Sequence, residues 1–339
     1  MTSNLNSISI FPLFLSGSPC AFQCAYCNCR HVNAIEPPID HPGLRSAIDS
    51  WIEHHPSERR LIALYGNDLP SLPHHVLSCI DRIITPYASS GRIDGIRISA
   101  RPDTIIRFIR CSGMPIVSVE LGCPTLNDKS LGMIRRGHSA ADVGLAVGFL
   151  KELGMEIGLQ TMIGLPGVTP DEHLDSARKI IGLRPDFVRI HPTLVLRHTA
   201  LESLWLSGEY APMTLDQAVR SCCRITRLYR DAGIAVARIG YHIPPGQLGD
   251  VLCAGPYHPS FSSLVTGELL YLEMKQYLDA HPETTRLRVS PSQFNDCIGY
   301  RGRNLLRLRQ HFCSELEIIA DPRPDLECTK KGESEDSPS

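Results

Sequence analysis

The sequence predicts an α/β protein: a partial (βα)6 TIM-like barrel of parallel strands, followed by a small C-terminal βααβ module. Three observations carry this prediction. Short apolar runs alternate with amphipathic stretches of helical length from residue 8 to about residue 191. Those runs are continuous rather than strictly alternating, as strands buried on both faces should be. Cysteines, glycines and charged residues fall just past their ends, where a parallel barrel places its chemistry.

Taken in order, the first strand spans Ile8–Leu15 and leads into Cys20, Cys24 and Cys27, a C-x3-C-x2-C run. A helical stretch at His41–His54 returns the chain to the strand Leu61–Tyr65, which ends in Tyr65-Gly66-Asn67-Asp68. Helix Leu72–Tyr87 precedes strand Gly95–Ser99 and the sequence Ala100-Arg101-Pro102-Asp103. Helix Asp103–Arg110 then leads to strand Ile116–Leu121, which carries Glu120 near its end, ahead of Gly122-Cys123. Helix Ala140–Leu153 connects to strand Glu156–Ile163, which includes Gln160 and runs into Gly164-Leu165-Pro166-Gly167. Helix Pro170–Leu183 and strand Phe187–His191 complete the sixth unit, ending in Arg189-Ile190-His191-Pro192. Crossovers between such parallel strands are right-handed.

Beyond about Gly246 this rhythm stops. A Gly- and Pro-rich stretch leads to a helix near Ser263–Ala280, and then a βααβ unit follows: Arg286–Val289, Pro291–Cys297, Asn304–Phe312 and Leu316–Ile319. Between its helices lies Gly299-Tyr300-Arg301-Gly302, with Arg303, Arg307 and Arg309 close behind. The unit looks like a minimal KH core, in which a G-x-x-G turn lets a nucleic-acid backbone approach and basic side chains meet phosphates. Gly299, Arg301, Gly302 and Arg303 are then the nucleic-acid-binding candidates; an ordinary helical hairpin would also use glycine there. The expected division is 1–245 barrel, 246–285 linker and helix, 286–322 KH-like module and 323–339 a charged, Ser-rich disordered tail.

Composition narrows the function. With 339 residues, 42% hydrophobic content and a formal charge of −2, the chain reads as soluble and globular. Its apolar runs break well before the ~20 residues a membrane span needs, and no signal peptide is evident. The near-neutral balance gives no global nucleic-acid signature, so any RNA contact must come from a local basic patch. An odd 13 cysteines, scattered through apolar segments, argue against a disulfide framework and for a reducing, cytoplasmic setting. Structural zinc sites use paired C-x2-C hooks, and no second hook accompanies this run. Cys29 reads as a neighbour of the triad rather than a ligand.

The cysteine run, Arg136-Gly137-His138, Gly164-to-Gly167 and the block His191-Pro192-Thr193-Leu194-Val195-Leu196-Arg197, with Leu204-Trp205, Gly208 and Tyr210, resemble the radical S-adenosylmethionine (SAM) superfamily. Within it they are similar to the radical-SAM domain of the elongator catalytic subunit and to short bacterial relatives, often labelled like oxygen-independent coproporphyrinogen oxidase. The resemblance implies that Cys20, Cys24 and Cys27 hold three irons of a [4Fe–4S] cluster. The fourth iron is left for SAM, which is cleaved to a 5′-deoxyadenosyl radical. It implies a low-potential electron donor such as ferredoxin or flavodoxin as a partner. The KH-like module makes tRNA or another RNA the favoured substrate. A porphyrinogen or other small metabolite is the alternative, and a degenerate barrel that only binds RNA is another. An acetyltransferase domain like that of the elongator subunit is not expected within these 339 residues.

The resemblance also assigns residues. Gly66 and Asn67 stand at the superfamily's Gly-Gly turn for the SAM amine, with Asn a departure from the second glycine. Arg101 would lie near the SAM carboxylate or substrate, or else form a surface ion pair with Asp103. Glu120 would hold ribose hydroxyls or a cationic substrate group. Gln160 would face the barrel interior, or be satisfied by backbone. Gly164 and Gly167 would bring backbone near adenine, or simply turn the chain. His138 and His191 are the candidates for proton chemistry, with His258 a third, and relatives carry Tyr in place of His191. Cys123-Pro124 replaces the Val-Gln that relatives have after Gly122.

Overall fold

The computed structural model describes residues 8–15, 20, 22–28, 42–55, 59–66, 68–243 and 245–325. Asn67, Cys29 and the stretch 326–339 of the expected tail lie outside the described residues. In chain order the barrel contains β1 (Ile8–Leu15), α1 (Pro42–His54), β2 (Arg59–Gly66), α2 (His74–Ser89), β3 (Gly95–Ala100), α3 (Pro102–Cys111), β4 (Ile116–Gly122), α4 (Asp128–Met133), α5 (Ala140–Glu152), β5 (Glu156–Ile163), α6 (Pro170–Leu183) and β6 (Phe187–Pro192). It continues with β7 (Val195–Leu196), α7 (Ala200–Leu206), α8 (Leu215–Asp231) and β8 (Ala235–Ile239). Local chemistry sets the boundaries. Pro73 delays α2 to His74, and Ser139 and Thr169 form capping boxes with Asp142 and Glu172 at the starts of α5 and α6.

The main sheet has seven parallel strands in the order β1-β2-β3-β4-β5-β6-β8. The order follows the chain without reversal, so every crossover steps the same way around the sheet. The sheet also curls: the Arg189 guanidinium on β6 donates to the Tyr65 hydroxyl on β2 at 2.9 Å, across three intervening strands. This is the partial barrel the sequence predicts, with one strand more than the six expected. β8 reads Ala-Val-Ala-Arg-Ile, and Arg238 interrupts its apolar run. Its helix α8 carries a legible signal, the Thr214-x-x-Gln217 capping box. Helices pack the convex face through Ile62, Ile96, Ile98, Val119, Ile157, Ile190 and their neighbours, all at most 1% exposed.

The stretch after the barrel contains α9 (Leu248–Val251), β9 (Leu252–Ala254), antiparallel to β7, and the 20-residue α10 (Phe261–Ala280). Helix α10 is buried on two sides, with its charged residues Glu268, Glu273, Lys275 and Asp279 between and beyond the buried positions. Phe261, Val265 and Leu269 join the barrel core, whereas Leu270, Tyr271, Met274 and Leu278 belong to a second core. That second core closes against β10 (Arg286–Val289), α11 (Phe294–Ile298), α12 (Arg303–His311) and β11 (Glu317–Ala320), with β10 and β11 paired in parallel. No helix among the described residues is long and apolar enough to cross a membrane.

Candidate functional site

The cysteine loop leaves the C-terminal end of β1. Its glycine neighbour on β2 has a packing role, because a Cβ on Gly66 would collide with the carbonyl oxygen of Leu15, its register partner. Cys24 is buried, Cys20 and Cys27 are half-buried, and no disulfide joins them to one another. The Cys27 amide donates to the Cys24 carbonyl at 3.1 Å, making a tight turn around Tyr26. The loop is tied to the segment after α4, since the Ala25 amide donates to the Ile134 carbonyl at 2.9 Å.

Arg136 sits over this loop. Its Nη1 donates to Cys24 Sγ at 3.5 Å, its Nη2 to the Gly122 carbonyl at 2.8 Å and its Nε to His138 Nε2 at 3.0 Å. Burial opposes the guanidinium charge, but Tyr26 and then the Cys24 and Cys20 thiols outweigh it and hold the pKa above the usual arginine value. Arg101 lies beside it and donates to the Arg136 carbonyl at 2.7 Å. Arg101 is 2% exposed, grips Asp103 with two nitrogens at 3.0 and 3.2 Å, and lies over the Phe22 ring. The ion pair with Asp103 therefore exists, but on a buried arginine whose Nη1 has no hydrogen-bond partner among the described residues. Burial and Asp68 push the Cys20 thiol pKa up, opposed by Arg101 and Arg136.

The concave face of the sheet carries a charged floor. Arg97 on β3 donates to Glu156 Oε2 at 3.1 Å and to Ser118 Oγ at 3.1 Å, and its Nη1 lies 3.8 Å from Glu120 Oε1. Arg189 Nε lies 3.1 Å from Glu120 Oε2. Glu120 thus bridges two arginines, the condition under which a carboxylate that is 4% exposed is tolerated. Its Oε1 accepts no hydrogen bond among the described residues. The Phe187 ring lies under Arg97, and Gly158 makes room for it, since a Cβ there would strike the ring. Gln160 is half-buried one step higher, in register with Gly122 and Arg189.

His191 lies beyond Arg189 on β6, beside Met162 in register and edge-on to Tyr241 at 4.4 Å. It is 9% exposed, and neither ring nitrogen has a hydrogen-bond partner among the described residues. Burial, with Arg189 and Arg238, pushes its pKa down to about 3, so the ring is neutral. Tyr26, Met162, Leu194, Tyr241, Ile243 and Val251 line a neighbouring cavity of about 200 Å3. His138 differs: both its nitrogens are engaged, Nε2 by Arg136 and Nδ1 by the Ser139 carbonyl at 3.2 Å. Gly164 is likewise committed, its amide donating to His173 Nε2 at 2.9 Å and its carbonyl accepting from the Tyr210 hydroxyl at 2.7 Å. Gly164 and Gly167 have φ of 73° and 66°, the left-handed region that favours glycine. Cys123 faces away from the barrel interior, fully buried in the convex core.

In the C-terminal module the basic quartet is largely engaged. Arg303 pairs with Asp216 at 2.8 Å, Arg307 with Glu268 at 2.5 Å, and Arg309 donates to the Leu316 carbonyl at 2.8 Å. Arg301 projects from the Gly299–Gly302 turn beside Tyr300, which is 52% exposed. Gly299 is required by packing, because a Cβ would lie 2.7 Å from Asn304 Cγ, whereas the space at Gly302 is open. His258 packs edge-on against Tyr300 at 5.3 Å.

The structure therefore gathers the cysteines, Arg101 and His138 around one loop, and Glu120, Gln160 and His191 along one concave face. Sequence reasoning quoted Arg136 and Arg189 within motifs but gave neither a role, and it passed over Arg97 and Tyr241. Arg97 and Arg189 had a signal, a charge inside an otherwise apolar strand. The thiols suit an iron–sulfur cluster: three soft sulfur donors on one loop, with two guanidinium groups nearby to offset their charge. Among the described residues no three His, Cys, Asp or Glu side chains converge on a single ion. That is the demand of a mononuclear site, whereas a cube spreads its ligands over separate irons.

Residues 185–271 match the Radical_SAM C-terminal domain family. Over 155 residues the chain is 32% identical to the tRNA uridine(34) acetyltransferase of Dehalococcoides mccartyi (strain CBDB1), covering 41% of this chain and 34% of that protein. Over 154 residues it is 27% identical to Elongator complex protein 3 of Danio rerio, covering 42% of this chain and 28% of that protein. It thus spans about a third of the length of these curated relatives. Among solved structures, the archaeal Methanocaldococcus infernus Elp3 with an N-terminal deletion superposes with a TM-score of 0.57 at 19% identity, over 81% of this chain and 63% of that one.

Proposed function

For a chain that resembles the radical-SAM superfamily, and Elp3 within it, in both sequence and fold, we propose a radical-SAM enzyme that acts on RNA, with tRNA the favoured substrate. The observation that carries the proposal is the C-x3-C-x2-C loop that follows the C-terminal end of β1, with Arg136 donating to the Cys24 sulfur. Cys20, Cys24 and Cys27 would hold a [4Fe–4S] cluster. With SAM, that cluster supplies a 5′-deoxyadenosyl radical able to abstract a hydrogen atom.

The chain's own residues then bind and orient. Arg101 Nη1 suits the carboxylate of SAM, and Glu120 Oε1 suits a hydroxyl or amine. Neutral His191 can accept a hydrogen bond from a bound molecule as well as donate one. A cavity walled by Tyr26 and Tyr241 next to His191 leaves room for part of a bound molecule. An RNA role is supported by Arg301 beside exposed Tyr300, a pairing suited to phosphate contact and base stacking. The Arg303–Asp216 pair is exposed and of little intrinsic strength, so a phosphate can displace the aspartate.

The test has two arms. Iron-reconstituted Cys24→Ala should lack the charge-transfer absorption of a cluster that the parent protein shows. Arg301→Glu with Arg303→Glu should weaken tRNA binding at least tenfold and leave the cluster spectrum unchanged. A fully loaded Cys24→Ala protein would contradict the cluster assignment, and unchanged tRNA affinity would redirect the search to a porphyrinogen or other small metabolite.

A further inference from the structure

We propose that Arg136 tunes the reduction potential of the cluster by donating a hydrogen bond to the Cys24 sulfur, and that His138 is the positioning residue that aims it. The proposal rests on the cluster assignment above. Each guanidinium nitrogen of Arg136 has a different acceptor: Nη1 has Cys24 Sγ at 3.5 Å, Nη2 the Gly122 carbonyl at 2.8 Å, and Nε the ring nitrogen of His138 at 3.0 Å. The group is planar, so three acceptors in three directions fix both its position and its orientation. The Gly122 end is tight, because a Cβ on that residue would overlap Arg136 Nη2. The Arg136 carbonyl is itself fixed by Arg101 Nη2 at 2.7 Å.

His138 must be neutral to serve as an acceptor, with its proton on Nδ1 toward the Ser139 carbonyl. Burial and the adjacent Arg136 charge both favour that form. An uncharged acceptor leaves the full positive charge of Arg136 directed at the sulfur, which a carboxylate in the same place would cancel. Hydrogen bonds and positive charge at a cluster thiolate stabilise the reduced, more negative form and raise the potential. A low-potential donor can then reduce the cluster more readily.

The test is an EPR-monitored redox titration of the reconstituted cluster, with SAM and substrate absent, so that activity plays no part in the readout. Arg136→Met should disfavour reduction roughly tenfold, a midpoint about 59 mV more negative for one electron. His138→Ala should move the midpoint the same way by a smaller amount, and His138→Gln, which restores an acceptor, should bring it back. The His138 variants retain all three cysteines and Arg136, so they decide the matter if Arg136→Met loads poorly. Iron-replete variants with the parent midpoint would overturn the proposal; if their SAM affinity fell instead, Arg136 would be a SAM ligand. A parent protein that takes up no cluster would contradict the functional reading itself.

Discussion

His173 shows how a single buried side chain ties the stability of this protein to pH. Burial pushes its pKa down to about 4, with Glu172 opposing, and its neutral Nε2 accepts the Gly164 amide. An unfolded histidine titrates near 6.5. Between these values the unfolded chain binds the extra proton and the native one does not, so stability is lost as pH falls through the window. The gap corresponds to about 3 kcal/mol for this group, and His191, depressed to about 3, adds in the same direction. Urea melts from pH 7 to pH 4 should therefore show falling stability, and a His173→Gln variant should flatten part of the slope. An unchanged slope would mean that His173 is protonated in the folded protein. The chemistry of such residues was only partly legible in the sequence. Arg101 stood out because it follows a strand. Arg136 was visible as part of the Arg136-Gly137-His138 motif, but its role was not, because the Cys24 sulfur it meets lies 112 positions away in the chain.

Helix α10 and the turn it supports show the same division among elements. The sequence marks α10 as helical, but its two-sided burial, with Val265 facing one core and Met274 the other, is a tertiary fact. The Gly299–Gly302 turn was expected for the sake of a nucleic-acid backbone. In the structure Gly299 also has a local reason: it adjoins Asn304, whose amide donates to the Gly267 carbonyl at 2.8 Å and to the Asp296 carbonyl at 3.2 Å. Gly299 has a φ of 78° and no space for a Cβ, whereas Gly302, at 76°, has space. Gly302→Ala should cost about 1–2 kcal/mol for the left-handed backbone alone. Gly299→Ala should cost more, because Asn304 must move as well. Chemical denaturation of the two variants checks this, and equal losses would show that the Asn304 contact is soft. Strand β8 was missed because Arg238 disguises it, although the capping box of α8 was there to read.

The molecule as a whole joins a half-barrel that presents three thiols to a βααβ module that presents Arg301 and Tyr300, with α10 common to both cores. Parallel strands buried on both faces made the barrel legible, because their apolar runs need no tertiary knowledge to be seen. The charged floor was not legible, since the pairing of Arg97, Glu120, Glu156 and Arg189 depends on the register of four separate strands. The proposed role of this assembly is to generate a radical for use on RNA. Its most direct test is the 5′-deoxyadenosine formed by anaerobic, iron-reconstituted protein given SAM and a low-potential reductant, with and without total tRNA. The account predicts formation that rises several-fold when tRNA is added and vanishes in Cys24→Ala. No 5′-deoxyadenosine from protein with an intact cluster would contradict radical catalysis, and formation indifferent to tRNA would contradict RNA as its substrate.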